Sequence, residues 1–139
     1  MQFPEKSITF PDTILLYQQV VEKSLKALYF AYSSDGNNMD TSSIFHSHDC
    51  KWIVQQMQSN LNYTMEYDDL DFLLSAATQF DNLGRQAFDA RSLCVRARYM
   101  QNVSDDKIPS DIFTSDDALH AMDLAHRIVD FCDKMICWD

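Results

Sequence analysis

The arginines of this chain are concentrated in one short segment. Of its five arginines, four fall within fourteen residues: Arg85, Arg91, Arg96 and Arg98. The 139-residue chain is otherwise acidic, with a net charge of -10. Guanidinium groups bind phosphate and carboxylate oxygens through paired hydrogen bonds, so the cluster is a candidate site for an anionic ligand. The alternative is that each arginine forms a weak surface pair with a nearby acid. The acids closest in sequence are Asp81, Asp89, Asp105 and Asp106.

Helical spacing divides the four arginines into two pairs. Arg91 and Arg98 are seven residues apart and share one face of a helix. Arg85 and Arg96 are eleven apart and share a face on roughly the opposite side, at about 100° per residue. A single clamp of four arginines is therefore not expected unless the helix breaks at Gly84.

The composition excludes several classes of function. The chain has only two glycines, and neither a P-loop nor a dinucleotide-binding turn is present. The net charge of -10 opposes binding to extended nucleic acid and to anionic membranes, because both depend on neutralising phosphate. No apolar run is long enough to span a bilayer, and the N-terminal residues do not resemble a secretory signal. These features predict a cytoplasmic protein without a membrane partner.

Histidines and cysteines are the candidate metal ligands of this sequence. His46 and His48, with Asp49 adjacent, could chelate a metal, but a histidine at a helix start more often caps or packs, and we predict no metal site. His120 and His126 are six residues apart and are expected at the surface. No two cysteines have C-x-x-C spacing, and we expect reduced thiols that mostly act as small core residues. The cysteines are Cys50, Cys94, Cys132 and Cys137.

Apolar residues recur at helical spacing in the first half of the chain. The first helix is predicted to follow Asp12 as its N-cap and to end near Gly36. A loop is expected over residues 35–43. The second helix is predicted to begin at Ser47 or His48, with Asp49 in its first turn.

The second half of the sequence is predicted to contain two further helical segments. One begins at Asp68 or Asp69 and runs to about Tyr99, with a bend or break expected at Gly84. An acidic connector covers residues 103–109. The last helix follows Thr114, and its apolar stripe is Ala118, Leu119, Met122, Ala125, Val129, Cys132 and Ile136.

Thr114 and Asp117 resemble a capping box at the start of that last helix. No alternating strand pattern and no internal repeat are present. The predicted fold class is therefore all-α, an antiparallel helical bundle of four to five helices. We expect residues 1–139 to form a single domain, itself part of a larger protein.

Four stretches of the sequence, in order, resemble motifs of the HEPN family. "QQVVEKSLKALYFAY" is similar to the family's Q-x-x-E-K-x-L-K-A-L helix, and "SHDCKWIV" to its T-H-D-L-x-x-L helix start. "VRARY" matches the T-R-Y-P motif at Arg98 and Tyr99 alone. The family's final helix and the loop before it resemble "IPSDIFTSDDALHAMDLAHRIVDF". Its I-P-x-D-x-F-T-S residues are most similar to those of sacsin-like HEPN domains. The resemblance covers nearly all of residues 14–133.

The chain also departs from the family pattern. Ala97 stands where threonine is usual, and Met100 where proline is usual. The family has another helix before the Q-x-x-E-K motif, for which only about ten residues are present here, so that helix is either absent or part of a longer chain. A bundle without that helix would expose an apolar face, which we expect a second copy to cover. Trp52 is the best candidate for a partly exposed aromatic side chain.

The resemblance implies a function as well as a fold. Sacsin-like members are thought to dimerise and to bind nucleotides or other polyanions, in a chaperone-related context. Carried over to this chain, the site would be Arg98 and Tyr99, with Arg91 and Arg96 as helpers, and the ligand ATP or GTP. Toxin-type members are ribonucleases with an R-x4-6-H motif. No histidine lies five to seven residues after any arginine, so this alternative is disfavoured and we predict no enzymatic activity. A third alternative is a pure interaction scaffold.

Overall fold

A computed structural model describes residues 10–33, 42–61, 64–84, 93 and 113–137. Within these ranges it contains helices and no strand, so the expected all-α bundle is confirmed. The helices are α1 (Phe10–Ser33), α2 (Ser42–His46), α3 (Cys50–Asn60), α4 (Tyr67–Asp81) and α5 (Ser115–Cys137).

Side-chain contacts give the relative directions of the longest helices. The rings of Phe72 and Phe131 lie 5.0 Å apart, and Gly84 lies against Phe113, so α4 and α5 run antiparallel as predicted. In contrast, α1 and α5 run in the same direction. Tyr17 contacts His126 near the start of the pair, and the Tyr32 hydroxyl donates to the Met135 carbonyl at 3.4 Å further along.

The core lies between α1, α3, α4 and α5. Its largest fully buried side chains include Tyr29, Phe80, Phe113, Ile14, Leu25 and Leu28. Burying a leucine or phenylalanine side chain contributes roughly 1.5–3 kcal/mol each. This apolar burial fixes the helices against one another and so determines which polar groups meet between them.

The first half of the chain differs from expectation at two places. Helix α1 begins at Phe10, so Asp12 lies in its first turn and the prediction of Asp12 as the N-cap is wrong. The carboxylate still favours the positive end of the helix from that position. Residues 42–46 form the short helix α2, where a loop to residue 43 had been predicted. Gly36 lies outside the described residues.

Asp49 is the N-cap of α3 rather than a residue of its first turn. Its backbone is extended, and its side chain accepts a hydrogen bond from the Trp52 amide at 3.1 Å. Trp52 itself is partly buried against the core, as predicted. The buried face of α3 is formed by Cys50, Ile53, Val54 and Met57.

Helix α4 ends at Asp81, and the chain turns at Gly84. Gly84 has a φ of 65°, which a side chain rarely permits. A Cβ atom at this position would lie 2.3 Å from Cε1 of Phe113, which is impossibly close. The predicted break at Gly84 is therefore confirmed, and the glycine is required both by its backbone and by the buried ring.

The capping box at the start of α5 is confirmed. The Thr114 amide donates to the Asp117 carboxylate at 2.9 Å, and the Asp117 amide donates to the Thr114 hydroxyl at 3.2 Å.

The predicted apolar stripe of α5 is only partly correct, because Leu119, Met122 and Ile136 are exposed. The buried face is instead Ala121, Leu124, Ala125, Ile128 and Cys132. The helix thus carries two adjacent apolar stripes, of which one packs inward.

Candidate functional site

The predicted anion site cannot be placed, because Arg91, Arg96, Arg98 and Tyr99 lie outside the described residues. The structure does describe the N-terminus of α5, which was expected to lie beside this site. The N-terminus of α5 was expected to offer free backbone N–H groups to a phosphate, but the Thr114 and Asp117 amides are already bonded within the capping box. Asp116 and Asp117 also place two carboxylates in this first turn, where they repel an anion.

A polar cluster centred on Glu22 joins α1 to the segment before α3. The Glu22 carboxylate accepts from Lys26 Nζ at 2.8 Å, from Gln18 Nε2 at 3.1 Å and lies 3.0 Å from His48 Nδ1. Its side chain is only 10% exposed, whereas that of His48 is 65% exposed. The carboxylate is therefore enclosed by donors, and the imidazole lies at the surface above it.

The surrounding backbone completes this cluster. Gln18 Nε2 also donates to the His48 carbonyl at 2.9 Å, and Lys26 Nζ donates to the Phe45 carbonyl at 2.7 Å. The side chains of α1 thus hold the C-terminal end of α2 and the link to α3. In the described part of the chain, Gln18 Oε1 is a buried acceptor with no hydrogen-bond partner. Its amide orientation is fixed by the two oxygens that Nε2 contacts.

The electrostatics of the cluster keep Glu22 ionised. Burial raises the pKa of Glu22, but hydrogen bonds from Lys26, His48 and Gln18 outweigh it, so the pKa lies below its ordinary value of 4.5. Since an ionised carboxylate only accepts, the proton of the His48 contact must be on Nδ1. Nε2 is then the atom that can take up a second proton.

The chemistry of this arrangement favours a structural role. A histidine oriented by a carboxylate can act as a general base, but it needs a substrate-binding group or nucleophile beside it. The described neighbours, Lys26 and Gln18, both donate to the carboxylate itself. We therefore assign the cluster to the positioning of α2 and α3 on α1.

The sequence carries a signal for this cluster, although the cluster is not among the predicted sites. Gln18, Glu22 and Lys26 are spaced by four residues and lie on one face of α1. Gln18 and Glu22 lie beside the buried apolar residues of α1, such as Ile14, Val21 and Leu25. The helical period therefore places both polar side chains towards the core. Two polar residues at such positions require partners, and His48 supplies one.

The other histidines and the cysteines, which were the candidate metal ligands and thiols, lie outside the Glu22 cluster. His46 ends α2 with its ring against Phe45, and the described residues contain no group of three or more metal-ligating side chains. His120 and His126 are exposed, as predicted.

Cys50 and Cys132 are free and buried, as predicted. Burial raises the pKa of both thiols, that of Cys132 to about 12. The side chains of Cys94 and Cys137 are not described.

A second surface feature is an exposed apolar face on α1 and α5. On α1, Leu16 is 56% exposed and Val20 is 46% exposed, on either side of Tyr17 in sequence. On α5, Met122 lies one turn before His126 and is also exposed. The rings of Tyr17 and His126 lie 6.3 Å apart where the two helices meet, and Val20 and Met122 are each about one helical turn from these rings. We call this surface, completed by Leu119 and Ile136, the α1–α5 face.

None of the described helices combines the length and the hydrophobicity that crossing a membrane would require. Comparisons with protein-family models, with curated proteins and with solved structures gave no significant match to this chain. What is established is therefore the fold class: the described residues form an all-α helical bundle.

Proposed function

We propose that the chain is a non-catalytic HEPN-type module that associates with a second copy of itself and binds a nucleotide or other small polyanion weakly. The observation that carries the proposal is the α1–α5 face. Large apolar side chains are exposed on this face: Leu16, Val20, Leu119, Met122 and Ile136. Most other apolar side chains of the described residues pack in the core, although Phe10, Phe45 and Tyr67 are also exposed. Large apolar surfaces of this kind are typical of protein contacts.

Nucleotide binding rests on the resemblance and on residue chemistry. Arg98 offers a planar fork for phosphate oxygens, and Tyr99 offers a ring on which a base can stack. Arg91 and Arg96 add positive charge nearby in sequence. The acids of the chain oppose the site, so we expect weak and salt-sensitive affinity for ATP or GTP, in a chaperone-related setting.

Calorimetric titration with ATP and GTP at low salt tests the nucleotide proposal. Arg98→Ala removes a charge-assisted hydrogen bond worth about 1.5–3 kcal/mol, and we expect a ten- to hundred-fold loss of affinity. Arg127→Ala is the matched control, because Arg127 is 53% exposed and stacks on Phe72 of α4. Absence of heat with millimolar nucleotide and wild-type protein would leave self-association as the function.

The ribonuclease alternative has a direct test in the same preparations. We expect no cleavage of RNA by the pure protein, because no histidine follows an arginine at the spacing that the toxin-type motif requires. Specific cleavage that is lost in Arg98→Ala would establish the alternative.

A further inference from the structure

The α1–α5 face carries negative charge among its apolar side chains. In α5, Asp123 directly follows Met122, and Asp130 and Asp133 both precede Ile136 by two turns or less. These three aspartates are exposed, and Asp133 also takes part in an interaction within its own chain. A partner that covers the apolar side chains of α5 therefore lies close to these carboxylates.

The basic residues of α5 do not balance its acids. The helix contains five aspartates against one arginine and one lysine, which leaves three acids in excess. Arg127 lies 3.8 Å from the Asp123 carboxylate, and its guanidinium stacks on Phe72 of α4. Both members of this pair are more than half exposed, and such pairs are weak. Helix α5 therefore presents net negative charge to a partner.

A second copy brings the same charges to the other side of the contact. In a two-fold interface the same surface of both chains meets, so the acids of one α5 add to those of the other. Each chain also carries a net charge of -10, so the two copies repel one another at long range. The apolar contact must exceed this repulsion for a dimer to form.

Salt weakens the repulsion and leaves the apolar attraction in place. The Debye length decreases from about 14 Å in ~0.05 M NaCl to about 4 Å in ~0.5 M NaCl. Apolar burial does not depend on charge. Higher ionic strength should therefore favour the dimer, whereas an interface held by opposite charges would weaken.

We propose that ionic strength regulates self-association, because the acids of α5 repel the second copy at the α1–α5 face. The inference rests on the proposed self-association and specifies its regulation. Two helices about 10 Å wide, over the ~26 Å from Leu119 to Ile136, give a footprint of roughly 500 Å² per chain. Specific stable interfaces cover about 800 Å² per partner, so we expect a dimer of micromolar affinity in ~0.15 M salt.

Light-scattering mass measurements over a dilution series give the dissociation constant of the dimer. We expect this constant to fall at least about ten-fold between ~0.05 M and ~0.5 M NaCl, because the shorter Debye length removes most of the repulsion. A dissociation constant that rises with salt, or does not change, would overturn the regulation while self-association stands. A mass of one chain at every salt concentration would overturn both.

Two double variants locate the repulsion. Asp123→Asn with Asp130→Asn removes two charges beside the apolar side chains of α5, whereas Asp68→Asn with Asp71→Asn removes two exposed charges from α4. Each double variant loses two carboxylates, so both change the net charge from -10 to -8. In ~0.05 M NaCl we expect the α5 variant to dimerise at least about five-fold more tightly than the α4 variant, because repulsion decreases with distance. Equal dissociation constants for the two variants would overturn the assignment of the repulsion to α5.

Discussion

His48 Nδ1, just before α3, lies 3.0 Å from Glu22 Oε1 of α1. The contact links α1 to the segment that begins α3, across 26 residues of chain. Lys26 and Gln18 complete the donors to the same carboxylate. These contacts form one polar junction between α1 and the segment before α3, and its stability can be measured.

Replacing Glu22 with glutamine should destabilise the fold. Glu22→Gln removes the charge that Lys26 contacts at 2.8 Å in a partly buried site. Hydrogen bonds to charged groups contribute about 1.5–3 kcal/mol, and we expect a loss of that size in chemical denaturation at pH 7. Glu66→Gln is the control, because Glu66 is exposed and makes no capping hydrogen bond through its side chain. Equal stability of the two variants would contradict the assignment of the cluster.

The effect of Glu22 should depend on pH in a defined direction. Its pKa in the folded protein is below the ordinary value of 4.5, so its stabilisation is fully present above about pH 4.5. It is lost as the pH falls through the lower pKa of the folded state. The stability difference between wild type and Glu22→Gln should therefore narrow below pH 4.5. A difference that widens on acidification would show that the carboxylate is not stabilised in its ionised form.

Gly84→Ala should be strongly destabilising. The φ of 65° strains any residue with a side chain, and the new Cβ would overlap the buried Phe113 ring. We expect a loss of at least about 2 kcal/mol by thermal or chemical denaturation. Gly84→Ala combined with Phe113→Leu separates the two causes, since the smaller side chain relieves the overlap and leaves the backbone strain. An alanine variant as stable as wild type would show that the turn at Gly84 is formed differently.

Cys50 and Cys132 should resist alkylation in the folded protein. Burial raises the pKa of both thiols, that of Cys132 to about 12, and only the thiolate reacts. Iodoacetamide labelling at pH 8, followed by peptide mass spectrometry, should find both cysteines protected in buffer and labelled in guanidinium chloride. Rapid labelling of Cys132 in buffer would mean that α5 opens from the core.

The positions of the helices were predicted better than the contacts between them. The helical spacing of apolar residues located α1, α3, α4 and α5, and the capping box at Thr114 fixed the start of α5. The sequence alone could not select between the two apolar stripes of α5, because both have helical period. It also could not reveal that Gln18 and Glu22 meet His48, since that contact depends on how α1 packs against α3.

The most direct test of the central claim is the mass of the wild-type protein by light scattering at tens of micromolar. Self-association through the α1–α5 face predicts a mass approaching twice the 16.1 kDa of one chain, decreasing on dilution through the micromolar range. A mass of 16.1 kDa throughout that range would contradict the proposed self-association.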